Sequence, residues 1–144
     1  DYFSKYYIKN QKKEDLTKPV EDSVFKIAVY HPLSSEDFLY PSLKKFENED
    51  LVVVVSGKNW LDIMNKHTNK GIAIEKLQKS LNILPEQTMA FGDYFNDIEM
   101  LKNAHYSFAM KNAHPSVKEA AKFEACSNDS FGVMETIKNY LNQF

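Results

Sequence analysis

Asp93, Asn96 and Asp97 place two carboxylates and an amide oxygen within five positions, in the run Gly92-Asp-Tyr-Phe-Asn-Asp97. All three are hard oxygen ligands. Proteins hold Mg2+ with one or two carboxylates, waters and substrate phosphate oxygens, so this trio suits a divalent cation that in turn grips phosphate. Such a cation would also relieve the like-charge repulsion between Asp93 and Asp97. An isolated Gly-Asp is ordinarily a turn, and an Asn or Asp ahead of a helix is ordinarily an N-cap. A cap accounts for one polar residue and leaves the others without a reason. That favours a site.

A second candidate is Lys70, in Asn69-Lys70-Gly71 at the start of an amphipathic segment. A cation at a helix N-terminus opposes the macrodipole, so the helix gains nothing from it there. Beside orphan N–H donors, with Gly71 permitting close backbone approach, it has the character of a phosphate-binding lysine. Taken alone, a solvated surface lysine is the better account of it. His31, His67, His105 and His114 show no metal-ligand spacing and read as structural or surface residues. Of the four, His67 lies three positions before Lys70 and is the one placed to touch a substrate. The single Cys126 has no intrachain disulfide partner and adjoins no basic cluster, so it reads as a buried or bystander residue.

These side chains need elements to hold them. Residues 88–93 read as a short apolar strand running into the acidic loop, and residues 96–103 as a helix with Ile98, Met100 and Leu101 inward. In an open α/β sheet, ligands bind beyond the carboxyl ends of the strands. Asp93 then stands at a strand tip, with Asn96 and Asp97 at a helix N-terminus beside it. Residues 71–82 form a helix with Ile74, Leu77 and Leu81 on one face, stopped by Pro85. Residues 106–110 are another strand. His114-Pro-Ser116 opens a helix through Val117, Ala120 and Ala121, and residues 131–141 close with Val133, Met134, Ile137 and Leu141 on a helical stripe. This rhythm predicts a parallel sheet with helices over its faces.

Ahead of residue 65 the grammar differs. Residues 25–31 read as a strand broken by Pro32. Ser34 or Ser35 caps a helix reaching Phe46, with Pro41 inside the span and able to delay its start. Residues 51–57 are a β-branched strand, and residues 60–64 follow a break that invites a hairpin. The pattern predicts a small α+β unit with an antiparallel sheet over residues 1–65, joined near 65–68 to an α/β unit over 66–144. Trp60 is expected to pack within the first unit or line its rim. Tyr94 and Phe95 are expected to pack around the acidic loop.

Composition narrows the function classes. The 144 residues, 43% hydrophobic, suffice for one ordinary core or two small ones. Eighteen basic and twenty acidic residues are interspersed at a net charge of −2, which lacks the clustering of a nucleic-acid footprint. No apolar run approaches the ~20 residues that span a bilayer. With no leader-like segment in view, the expected compartment is the cytoplasm.

Lys70-Gly71, about twenty residues before Met89-Ala-Phe-Gly-Asp-Tyr-Phe-Asn-Asp-Ile-Glu-Met-Leu101, closely resembles the Cof-type branch of the haloacid dehalogenase superfamily. The resemblance continues through Phe108-Ala-Met-Lys-Asn-Ala113, Val117-Lys-Glu-Ala-Ala121 and Ser130-Phe-Gly-Val133. Upstream, Val54-Val-Ser-Gly57 and Trp60-Leu-Asp-Ile63 look like the end of that family's cap. Residues 50–144 are covered well and the first 50 weakly. The resemblance implies part of an α+β cap over 1–65 and the C-terminal half of a Rossmann-like core over 66–144. It implies hydrolysis of small phosphate esters, sugar phosphates among them, with Mg2+ and an aspartyl-phosphate intermediate. By motif position, Asp93 resembles the direct metal ligand. Asp97 resembles the acid that holds metal-bound water or the loop around it. Asn96 resembles a polar contact to phosphate or the metal shell, and Lys70 the lysine that neutralises the phosphoryl group. The resemblance thus casts Lys70 and Asp97 as catalytic, Lys70 and Asn96 as phosphate-binding, and Asp93, Asn96 and Asp97 as the metal set. Such catalysis is positioning plus charge neutralisation.

The family's nucleophile and general acid lie in an Asp-x-Asp motif after the first core strand, and no Asp-x-Asp occurs in these 144 residues. The family's Ser/Thr motif likewise has no counterpart ahead of Phe25. The expectation is a part of a longer protein that does not turn over alone, because the covalent route needs its carboxylate. The alternative is a non-catalytic Mg2+- or phosphate-binding module. Cation-pump phosphorylation domains share the G-D-x-x-N-D element but need membrane spans. Residues 1–65 offer no polar constellation that names a substrate. A half-core would also leave a sheet edge uncovered, which favours pairing between chains.

Overall fold

The computed structural model describes residues 8–9, 11–18 and 23–142. Strands β1 (Lys26–Tyr30), β2 (Leu51–Gly57) and β3 (Trp60–Asn65) form an antiparallel sheet in the order β1-β3-β2. The run of valines in β2 favours the extended chain. A register shift between Val55 and Gly57 bends the hairpin into β3. Side chains alternate across the sheet. Val53, Val55 and Leu61 are buried on one face, while Lys26, opposite Met64, shares the other with Asp62.

The valine face is covered by α1 (Ser35–Phe38) and α2 (Tyr40–Leu43), through Leu39, Tyr40 and Leu43. The helix expected to run to Phe46 is instead two short helices and a closing 3₁₀ turn over Lys44–Phe46. Pro41 has no N–H to donate backward, so the chain restarts at Tyr40 with the proline in the first turn. Ser34 caps α1 by accepting from the Asp37 amide at 3.1 Å. The hydroxyl of buried Ser35 reaches the carbonyls of Gly57 at 2.8 Å and Trp60 at 3.0 Å, which ties α1 to the hairpin.

The second sheet is parallel: β4 (Met89–Gly92), β5 (Tyr106–Met110) and β6 (Phe123–Ala125), in that order. The helices around it are α3 (Lys70–Leu81), α4 (Ile98–Lys102), α5 (Pro115–Ala120) and α6 (Gly132–Leu141). Its core gathers Leu101, Ala104, Phe108, Met110, Val117 and Ala125. The fold is therefore mixed α/β, with one antiparallel and one parallel sheet.

Further features go beyond the sequence reading. β6 was not foreseen, because three residues with no alternation carry no strand signal. Leu77 and Leu81 of α3 are 52% and 58% exposed. With Ile74 and Ile83 they face an open groove toward Met89. β4 is the outer strand of its sheet, and no described strand covers that side. On α6, Val133 and Tyr140 pack on the core while Met134 and Leu141 stand exposed. Cys126 is exposed, so of its two readings only the bystander survives. No helix among the described residues is long and apolar enough to cross a membrane.

Candidate active site

The site is built where β4 ends. A Cβ on Gly92 would lie 2.5 Å from the Asp97 Cβ and 3.1 Å from its Cγ. The strand tip and the Asp97 side chain thus share space that only glycine leaves open. Beyond Gly92 the chain passes Asp93 and Tyr94, tightens into a 3₁₀ turn at Phe95–Asp97 and enters α4.

Asp97 is 4% exposed, and its burial is compensated on every side. Oδ2 accepts from the backbone amides of Asp93 at 3.0 Å and Tyr94 at 3.2 Å. Oδ1 accepts from the Lys70 ammonium. A buried carboxylate is tolerated only with such pairing. Lys70 is the first residue of α3, whose N-cap Asn69 accepts from the Ile72 amide at 2.9 Å. The misfit of a lysine with the helix dipole is offset by its bond to Asp97. Gly71 permits that bond. A Cβ there would lie 2.7 Å from the Glu99 Cβ and 3.0 Å from the Glu99 carbonyl oxygen, so α3 crosses α4 at backbone range.

Asp93 is held differently. Its backbone carbonyl accepts from the His114 amide at 3.0 Å, and its Oδ2 accepts from the Asn128 side-chain amide at 3.0 Å. Oδ1 has no donor among the described residues. The Asn128 backbone amide in turn donates to Asn112 Oδ1 at 3.0 Å. Sequence reasoning missed both asparagines. Asn112 follows β5 and Asn128 follows β6, so with Asp93 they mark the carboxyl ends of all three parallel strands.

Asn96 faces a cleft of about 270 Å³ that it lines together with Lys70, Lys26, Asp62, Met64 and Thr68. Lys70, Asp97 and Asp93 therefore form one hydrogen-bonded set, with Asn96 beside it. Tyr94 and Phe95 pack against Val53, Val55 and Leu61 of the first sheet, so the acidic loop is braced by the antiparallel sheet, which the sequence did not show. Phe95 also packs on the His114 ring at 4.3 Å, and His114 Nε2 lies 3.8 Å from Glu36. Burial first, then the charges of Glu36 and Asp93, push the Tyr94 phenol above its ordinary pKa. His67 is exposed in the turn before α3, and His31 stacks on Phe38 at 4.5 Å.

Among the described residues, no three His, Cys, Asp or Glu side chains gather as a metal cage. A magnesium ion asks for less, since one or two carboxylates with waters suffice. Asp93 Oδ1 is the oxygen with room for a cation, whereas both Asp97 oxygens already meet N–H donors. The donor set fits a hard cation bound through Asp93 and completed by water and phosphate.

The sequence profile of the haloacid dehalogenase-like hydrolases matches residues 1–137. The Escherichia coli 5-amino-6-(5-phospho-D-ribitylamino)uracil phosphatase is 37% identical over 126 residues, covering 85% of this chain and 45% of that protein. A crystal structure of a Streptococcus mutans protein superposes with a TM-score of 0.74 at 40% identity, over 82% of this chain and 45% of that one. A haloacid dehalogenase-like hydrolase from B. subtilis superposes with a TM-score of 0.70 at 32% identity, over 79% and 40% respectively. The chain thus spans less than half the length of each of these proteins. With the profile running from the first residue into α6, the chain belongs to the haloacid dehalogenase-like hydrolase family.

Proposed function

We propose that this chain supplies the C-terminal half of the active site of a Mg2+-dependent phosphomonoester hydrolase. The reaction runs through an aspartyl-phosphate whose nucleophile lies outside these 144 residues, and residues 1–65 act as part of the cap. The substrate is a small phosphorylated metabolite such as a sugar phosphate, and the compartment is the cytoplasm. The observation that carries the reading is the Lys70 ammonium fixed on buried Asp97, next to Asp93, beyond the end of β4.

Each residue has a task. Lys70 spends one N–H on Asp97, and its half-exposed ammonium has others to offer a phosphoryl oxygen. Asp97 aims that ammonium and ties down the loop through two amides. Asp93 offers Oδ1 to the cation, while Asn128 fixes its other oxygen. Asn96 donates its amide from the cleft wall. Magnesium, when bound, supplies charge neutralisation and orientation at the phosphoryl group. The E. coli relative is named for a phosphorylated ribityl compound, which supports a small hydroxylated ester here.

The test is an aryl phosphate assay with Mg2+ on the 144-residue protein and on a longer protein that carries an upstream Asp-x-Asp. We expect turnover only from the longer one, reduced roughly 10²–10³-fold by Lys70→Ala. Robust turnover by the 144-residue protein would sink the missing-nucleophile reading. A Lys70→Ala variant as fast as wild type would sink the role of the lysine.

A further inference from the structure

The cleft that Lys70 and Asn96 line has a second polar wall, on the first sheet. Lys26, Asp62 and Met64 stand there, facing the start of α3. Asp62 lies on the central strand β3, between Ala28 of β1 and Val54 of β2. It is 5% exposed. The middle of a sheet is a poor place for a carboxylate, because an apolar β-branched residue would serve the strand better. Asp62 Oδ2 accepts from Lys26 Nζ at 2.9 Å. Its Oδ1 has no donor among the described residues, in a side chain that lines the cleft. The Lys26 ammonium is half exposed, with N–H directions left over.

The wall is therefore a fixed acceptor beside a fixed donor, with charges that cancel. That arrangement suits a neutral group that both donates and accepts, which is a hydroxyl. A leaving group with a second negative charge would meet Asp62, and an alkyl chain without hydroxyls would leave a buried carboxylate oxygen unpaired. The cleft volume lies near the small end for ligand sites, right for a short chain rather than a polymer.

We propose that Asp62 and Lys26 form the subsite for the leaving group and select phosphate esters of polyols over esters without hydroxyls. The proposal rests on the phosphatase reading, in which Lys70 holds the phosphate at the other end of the same cleft. Asp62 accepts from one substrate hydroxyl through Oδ1. Lys26 holds Asp62 in place and donates to the neighbouring hydroxyl oxygen. Sites built to bond a hydroxyl discriminate strongly against analogues lacking it, and for this half-open cleft we expect at least about tenfold.

The test is a titration of the 144-residue protein in Mg2+, followed by two-dimensional NMR, with inorganic phosphate, ethyl phosphate and sorbitol 6-phosphate. Sorbitol 6-phosphate is expected to bind at least about tenfold tighter than ethyl phosphate. Asp62→Asn should cut most of that preference, with ethyl phosphate bound at least as tightly as by wild type, which also reports an intact fold. Lys26→Gln is the second variant, expected to erase most of the preference, and it decides the matter if Asp62→Asn does not fold. Equal binding of the two esters by wild type, or a preference that survives the substitutions, overturns the subsite. If all three ligands bind and Lys70→Ala weakens them all without any ester preference, only the subsite falls. If none of the three binds, the phosphate-holding role of Lys70 falls, and the subsite falls with it.

Discussion

Replacing Asp97 with alanine in the Mg2+-free protein is expected to lower its stability by about 3 kcal/mol. Two amides, of Asp93 at 3.0 Å and Tyr94 at 3.2 Å, lose an ionised acceptor. Hydrogen bonds to a charged group contribute about 1.5–3 kcal/mol each, and water entering the vacated space returns part of that. The Lys70 pair adds little, because its ammonium is half exposed and such pairs are worth about 0–1 kcal/mol. For a chain of this size the loss corresponds to a fall in Tm of roughly 6–12 °C. Asp97→Asn keeps an oxygen for the two amides but loses its charge toward them and toward Lys70, so it should cost less than the alanine change, about 1–2 kcal/mol.

Thermal unfolding followed by circular dichroism in EDTA decides the matter, because the competing role has the opposite sign. A carboxylate present only to hold a cation would repel Asp93 when the cation is removed, and its deletion would raise Tm. A melting temperature for Asp97→Ala that is unchanged or higher in EDTA refutes the anchoring role. Asp93→Ala is the matching control. It gives up one hydrogen bond, to exposed Asn128, at about 0.5 kcal/mol, yet should abolish the rise in Tm that Mg2+ brings to wild type.

Gly92→Ala forces a Cβ to within 2.5 Å of the Asp97 Cβ, so we expect a loss of about 1–3 kcal/mol; an unchanged urea midpoint would show that the strand tip yields freely. Tyr94 ionises in the folded chain above its ordinary 10.0 because of burial, Glu36 and Asp93. Its contribution is present in full below about pH 10, where unfolded tyrosine also keeps its proton, and is lost as pH rises through the folded value. Tyr94→Phe should therefore show a shallower alkaline decline in unfolding free energy, and identical slopes for the two proteins would contradict the reasoning. Light scattering on the 144-residue protein should show self-association through the outer edge of β4 and exposed Leu77, Leu81 and Leu84; a monomer at every concentration overturns that expectation.

Some of this architecture is written locally and some only in the meeting of distant segments. The valines of β2 are legible because they are what a strand favours, and the crowding of Asp93, Asn96 and Asp97 because it departs from what its own element needs. Lys70 belongs to that class too, since a helix has no use for a cation at its start. What decides these residues' tasks lies elsewhere in the chain. Asp97 meets Lys70 from 27 residues away, Asp62 meets Lys26 from 36, and Asn128 meets Asp93 from 35. Periodicity shows which residues share a face, but not what covers it, and so the sequence shows the stripe of α3 and not that Leu77 and Leu81 stand exposed. Asn128 shows the limit most clearly. The rule that ligands gather beyond the carboxyl ends of parallel strands reaches Asn128 only once β6 is known to be a strand. β6 is three residues long and gains its ladder from β5 alone. Its existence is a property of the partner strand more than of Phe123-Glu-Ala, so no local reading of those residues leads to the asparagine that fixes Asp93.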